Sequence, residues 1–133
     1  MNKDVNFALI GNVMLRKFNF CQIDTKIELF RSYCSSIYCS SLWYNYTQES
    51  MRRLRVCHNH ILRRIFNVPR YSSASQLFVS NNLRNINVLR RNCIYSLKQR
   101  IQSSNHILLI ALRESDAYIN FRLNAEWDRM LYP

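Results

Sequence analysis

The chain has 133 residues, enough for one ordinary domain and too short for two well-buried ones. Lys and Arg number 19 against 8 Asp and Glu, a net charge of +11, and the cations are 15 arginines and four lysines. One glycine and two prolines exclude a P-loop, a dinucleotide fingerprint and a fold rich in hairpins, all of which need several glycines, and 17 aromatic residues argue against disorder. The expectation is a basic, all-α chain: residues 1–133 as a single helical domain of about five to seven helices.

In chain order, Val5, Leu9, Val13, Phe18 and their neighbours Phe7, Ile10, Met14 and Phe20 repeat at helical spacing. Gly11 lies inside that run, where it costs roughly 1 kcal/mol against alanine, so a close helix contact is expected there. Thr25-x-x-Glu28 reads as a capping box opening a second helix, with Ile23, Ile27, Phe30, Cys34, Ile37 and Ser41 on its apolar stripe. Trp43, Tyr44 and Tyr46 form an aromatic knot behind it.

Thr47 can cap a third helix with Glu49 in its first turn. Met51, Leu54, His58, Ile61, Leu62 and Ile65 share one face of it, which makes His58 a core histidine rather than a ligand. Arg53, His60 and Arg64 lie opposite, flanked by Arg52 and Arg63. Val68-Pro69-Arg70 ends the helix, because the residue before proline is driven out of the helical region. Ser72 to Ser75 offers several N-caps to a short helix over 76–80, and Asn81, Asn82 and Asn85 mark a turn.

A long helix is expected over 84–102, with Ile86, Leu89, Cys93, Leu97 and Ile101 inward. Arg84, Arg91 and Lys98 recur every seven residues on its outer face with Tyr95 between them, a surface suited either to phosphates with a stacked base or to plain solvation. Ser103 or Ser104 would cap a helix through Arg113, in which 107–112 reads as a short buried segment. A last helix over 120–131 would anchor through Phe121, Leu123, Trp127 and Leu131.

Polyanions, and nucleic acid first among them, are the partners that this charge favours. An acidic protein is the other class. Cys21, Cys34, Cys39, Cys57 and Cys93 are an odd set without a secretory signal, read as free thiols in a reducing compartment, nuclear or cytoplasmic. A zinc site is disfavoured: Cys34 and Cys39 would diverge by about 140° on a helix, and Cys57, His58 and His60 point different ways. No apolar run reaches membrane-spanning length. The carboxylates Asp24/Glu28 and Glu114/Asp116 sit at helix ends, and no nucleophile or metalloprotease motif occurs, so no catalytic residue, metal site or cofactor is expected.

Five strings, "GNVMLRKF" (11–18), "LFRSYC" (29–34), "YCSSLW" (38–43), "VPRYSSASQLFV" (68–79) and "LRRNCIYSLKQRI" (89–101), occur in order. Together the chain resembles, from about Phe7 to Trp127, the region behind the catalytic core of reverse transcriptases of LINE-type (non-LTR) retrotransposons. The matching positions begin with Asn12, Leu15, Arg16, Lys17 and Phe18, then Lys26, Leu29, Phe30, Tyr33 and Cys34, then Tyr38, Leu42 and Trp43. They continue through Pro69, Arg70, Ser73, Ser75, Arg91, Asn92, Arg100, Ser104 and Asn105. Cys39 replaces the family's small residue, the link before Asn105 is one residue shorter, and the paired aspartates of the palm are absent. The resemblance implies a thumb-like helical bundle, a non-catalytic fragment of a larger enzyme that holds a duplex or RNA–DNA hybrid by its phosphates without sequence preference. Arg52, Arg53, Arg63, Arg64, Arg84, Arg91, Tyr95 and Lys98, then Arg16 and Lys17, are the expected contacts. It also implies an apolar face, left bare by the missing palm, through which copies would self-associate. A helical module for an acidic protein, or a translated fragment with no selected function, are the alternatives.

Overall fold

A computed structural model describes residues 3–35, 37, 40–43 and 46–132, with only the backbone of 3–7. The described residues are all-α, with eight α-helices, one π-helical turn and one 3₁₀ turn, and no strand. The helices are α1 (Lys3–Lys17), α2 (Ile23–Leu29), α3 (Gln48–Ile65), α4 (Ala74–Ser80), α5 (Ile86–Ser103), α6 (Ile107–Glu114), α7 (Asp116–Ile119) and α8 (Arg122–Leu131). The contacts group the chain into two compact units, Met1–Ile37 with Tyr46–Leu89, and Tyr38–Asn45 with Arg90–Pro133.

The first unit is built on α1 packed against α3. A Cβ on Gly11 would stand 2.3 Å from Cδ1 and 2.6 Å from Cγ1 of Ile61, so the expected close contact is there and only hydrogen fits. The face Leu54, His58, Ile61, Leu62 and Ile65 is buried as its spacing requires, together with Met14, Phe30, Cys34 and Phe78. Thr47 caps α3 by accepting from Ser50 N at 3.1 Å.

Two helix ends replace glycine with asparagine. Asn67 and Asn82 have φ of 51° and 50°, the left-handed region. Around Asn67, Val68 N bonds Arg63 O at 3.0 Å and Asn67 N bonds Arg64 O at 3.2 Å. Leu83 N to Phe78 O at 2.8 Å and Asn82 N to Val79 O at 3.1 Å repeat the pattern after α4. Both are Schellman closures, which satisfy the last carbonyls of each helix. Helix α3 thus stops at Asn67, before the proline can act.

The capping box at Thr25 does not form. Gln22, in extended backbone, precedes a helix that begins at Ile23 and has no side-chain cap, so Thr25 falls inside the first turn. Glu28 is instead held by Arg31 at 2.6 Å. The apolar stripe that opens in α2 runs on through a π-helical turn, Phe30–Cys34. The wider turn still keeps the expected Phe30, Cys34, Ile37 and Ser41 buried, while Ile23, at the start of α2 and ahead of that turn, is exposed. Of the other expected anchors, the side chains of Val5 and Phe7, and Tyr38, Cys39 and Tyr44, lie outside the described residues.

In the second unit Ile94, Leu123 and Trp127 form the core, with Leu97, Ile101, Met130 and Leu131 against it. Trp127 Nε1 donates to Ser41 O at 2.6 Å, and the Arg90 guanidinium, half-buried, donates to Ser40 O at 3.3 Å and Trp43 O at 3.0 Å. These bonds occupy the carbonyls of the 3₁₀ turn Ser40–Leu42 and its neighbour, which a buried chain segment must satisfy. Phe121, an expected anchor, is about half exposed at the start of α8.

Two expectations in this region are corrected. Helix α6 is capped by His106, whose Nδ1 accepts from Leu108 N at 3.3 Å, while Ser104 Oγ accepts from His106 N. Its apolar run is not buried: Ile107 and Leu108 are 76% and 71% exposed. The apolar residues of α8, Leu123 and Trp127, are buried with Ile94 of α5.

Candidate functional site

The expected cations do not form one stripe. Arg84 lies before α5, because Asn85 caps that helix by accepting from Val88 N at 3.0 Å through its side chain. The seven-residue repeat therefore has no helix beneath its first member. Lys98 is largely covered, 14% exposed at its side chain, and its ammonium meets the Asp128 carboxylate of α8. Its charge is locally neutralised by a partner 30 residues away in sequence. Arg91 and Tyr95 stay on the outer face of α5, with Tyr95 54% exposed.

In the first unit three of the expected arginines do come together. Arg52, Arg53 and Arg63 of α3 line a cleft of about 370 Å³ with Val56, Cys57, His60 and Arg70. Among the described residues no carboxylate lines it. Arg70 joins because the Asn67 closure and Pro69 turn the chain back beside α3, and Ser72 O accepts from Arg63 Nε at 2.8 Å, which fixes both sides of the cleft. In sequence Arg70 stands next to a helix breaker and among the positions of the resemblance, not among the expected contacts. Its role needs the turn geometry, which the Val68-Pro69 pair alone does not specify.

At the near end, Glu49 accepts from Arg52 Nε at 2.7 Å and Arg53 Nε at 3.1 Å. The hydrogen bonds from Arg52 and then Arg53 hold its carboxyl down to about 2. Arg52 and Arg53 thus arrive with an internal anion, whereas Arg63 and Arg70 meet no carboxylate in the described lining of the cleft. Burial, then Arg64, Arg70 and Arg63, depress the His60 imidazole below its ordinary value, so at neutral pH it contributes a neutral donor and acceptor.

Arg64 points to a second recess. Its Nη1 donates to Asn12 Oδ1 of α1, and both residues line a space of about 500 Å³ with Arg16. Lys17 lines a different, mostly apolar recess of about 400 Å³ with Ile10, Phe18 and Tyr33. Below these surfaces His58 is fully buried between two rings, 4.8 Å from Phe30 and stacked on Phe78 at 5.3 Å and 7°. Burial lowers it to about 4, opposed by a hydrogen bond to the Cys34 backbone. Cys34 is pushed up to about 12 by burial and by Cys57. Cys21, Cys34 and Cys93 are free thiols, and among the described residues no group of three or more His, Cys, Asp or Glu could hold a metal. No described helix is long and apolar enough to cross a membrane.

No protein-family model, curated protein or solved structure matches the chain.

Proposed function

We propose that the chain is a non-catalytic helical module that binds the phosphate backbone of nucleic acid without sequence preference, a remnant of a LINE-type reverse transcriptase. One observation carries the binding part: the α3 cleft gathers Arg52, Arg53, Arg63 and Arg70 around His60, with no carboxylate among the described residues of its lining. Guanidinium forks pair with phosphate oxygens in two-point fashion, and the imidazole adds a further donor. The order of the five strings supports the origin. The exposed Ile10 and Tyr33, which line the mostly apolar recess with Phe18, support self-association, read by sedimentation over a range of concentrations.

The test is the salt dependence of binding to an RNA–DNA hybrid and to duplex DNA. Each phosphate neutralised should contribute a slope of about −0.9 in log K against log salt. Replacing Arg63 and Arg70 together by alanine should flatten the slope by about two units, and Arg84→Ala should leave it unchanged. A slope that is flat from the start, with tight binding to an acidic protein instead, would replace this reading by the protein-interaction one. Equal slopes in wild type and the Arg63/Arg70 variant would remove the cleft from it.

A further inference from the structure

Helix α3 lines the cleft, and its Arg64 also reaches the recess built mainly from α1; the two differ in chemistry. The cleft gathers four guanidiniums around His60, with Val56 and Cys57 in its wall. The recess combines aliphatic walls from Leu9 and Val13, carboxamides from Asn12 and Asn19, and guanidiniums from Arg16 and Arg64. Its volume of about 500 Å³ falls among small-molecule sites, which combine apolar walls with a few polar groups that set orientation.

A base-paired duplex does not match that lining. It offers phosphates outward and keeps its bases stacked, so the carboxamides and aliphatic walls would meet no partner. An unpaired nucleotide does match. Its flat apolar face suits Leu9, Val13 and a guanidinium plane, and its edge supplies hydrogen-bond groups to the amides. The Asn12 amide is already oriented: Oδ1 accepts from Arg64, which leaves its NH₂ as the outward donor. Acceptor-rich edges, such as the carbonyls of pyrimidines and guanine, are what that donor selects.

The two linings meet in sequence. Arg63 lines the cleft and Arg64, the next residue, lines the recess. His60 lies within reach of both sets, since Arg64, Arg70 and Arg63 all act on it. Consecutive residues of α3 thus tie the two linings together.

We propose that the recess of Leu9, Val13, Asn12, Asn19, Arg16 and Arg64 receives an unpaired nucleobase, so that the module prefers a duplex with a single-stranded tail over a blunt one. This rests on the backbone-binding reading above, and the probes separate the two. They are a blunt DNA duplex, the same duplex with a tail of about four unpaired nucleotides, and that tail made abasic. The abasic tail keeps every phosphate and removes only the bases.

The natural tail should bind about tenfold more tightly than the abasic one, the yield of one or two good hydrogen bonds with stacking. Asn19→Ala, on the exposed turn after α1, and Val13→Asp, which puts a carboxylate in the recess, should each reduce that ratio to about twofold or less. Helix content and melting temperature, measured alongside, show whether each variant is folded, and either one folded suffices. Equal affinity for natural and abasic tails overturns the proposal, as does a ratio that both folded variants retain. If blunt duplex binds without salt dependence while the tail ratio persists, the recess stands and the cleft reading fails.

Discussion

Gly11→Ala sets two terms of known size against each other. In an exposed helix interior the exchange should stabilise by about 0.8–1 kcal/mol, because alanine is the better helix former. Here the new methyl would stand 2.3 Å from Ile61 Cδ1, 2.6 Å from Cγ1 and 3.3 Å from Cγ2. A rotation about the outer bond could withdraw Cδ1, but Cγ1 and Cγ2 are fixed to Cβ. Valine-like branching in a helix leaves χ1 one preferred well, and Ile61 is only 2% exposed. The helices α1 and α3 must therefore part. Overpacking of this kind costs about 1–3 kcal/mol, so the net result should be a loss of about 1 kcal/mol rather than a gain. Urea unfolding at fixed slope measures it as a lower midpoint. Ile61→Ala alone should cost about 2–5 kcal/mol, but it removes all three clashing atoms. In that background Gly11→Ala should become neutral or stabilising, a coupling of about 1 kcal/mol or more. A single Gly11→Ala variant more stable than wild type would refute the close-approach argument.

His58, lowered to about 4, stays neutral in the fold while the unfolded imidazole titrates near 6.5, so stability is full above that value and falls as pH drops from about 6.5 towards 4. The loss should approach about 3 kcal/mol by pH 4, and a ring-sized replacement, His58→Phe, should flatten the pH dependence of the urea midpoint over that window; an unchanged pH profile would exclude His58 as its source. Asn67→Gly and Asn82→Gly should each raise stability by about 0.5–1 kcal/mol, and the alanine variants should lower it, since both backbones are left-handed. Denaturant midpoints for the four variants should fall in that order. Thr47→Ala should cost about 1 kcal/mol in the same assay by freeing Ser50 N.

The parts of the fold legible in sequence are those held by local rules. Helix α3 shows its cap, its apolar face and its core histidine through spacing alone, because all three are set within a few turns. Gly11 was legible for the same reason: a glycine in an apolar helix interior needs a cause. The missed features depend on partners far along the chain. Nothing near Lys98 indicates that Asp128 will neutralise it. Ile94 becomes the centre of the second core only because Trp127 reaches it. The exposure of Ile107 and Leu108 reverses an expectation from composition, since an apolar run is buried only where another face is available. The π-helical turn at Phe30–Cys34 was not legible, although the burial of Phe30, Cys34, Ile37 and Ser41 was. For the site, the arginines of α3 were legible as a group, while the division between cleft and recess was set by Arg70 and Asn12, which enter from a turn and from another helix.

The asparagines at 67 and 82 also constrain how the sequence can change. Under the standard genetic code an asparagine codon becomes a glycine codon only by two base changes. One intermediate is aspartate, which tolerates left-handed backbone, and the other is serine, which does so less well. A lineage could reach the more stable glycine closure at low cost only through a carboxylate. At Asn67 that carboxylate would sit at the C-terminal end of α3, where the helix dipole disfavours it, and a few residues from Arg63 and Arg70, where it would place an anion beside the cleft. Local stability and the cationic surface would then be under opposing selection at a single position.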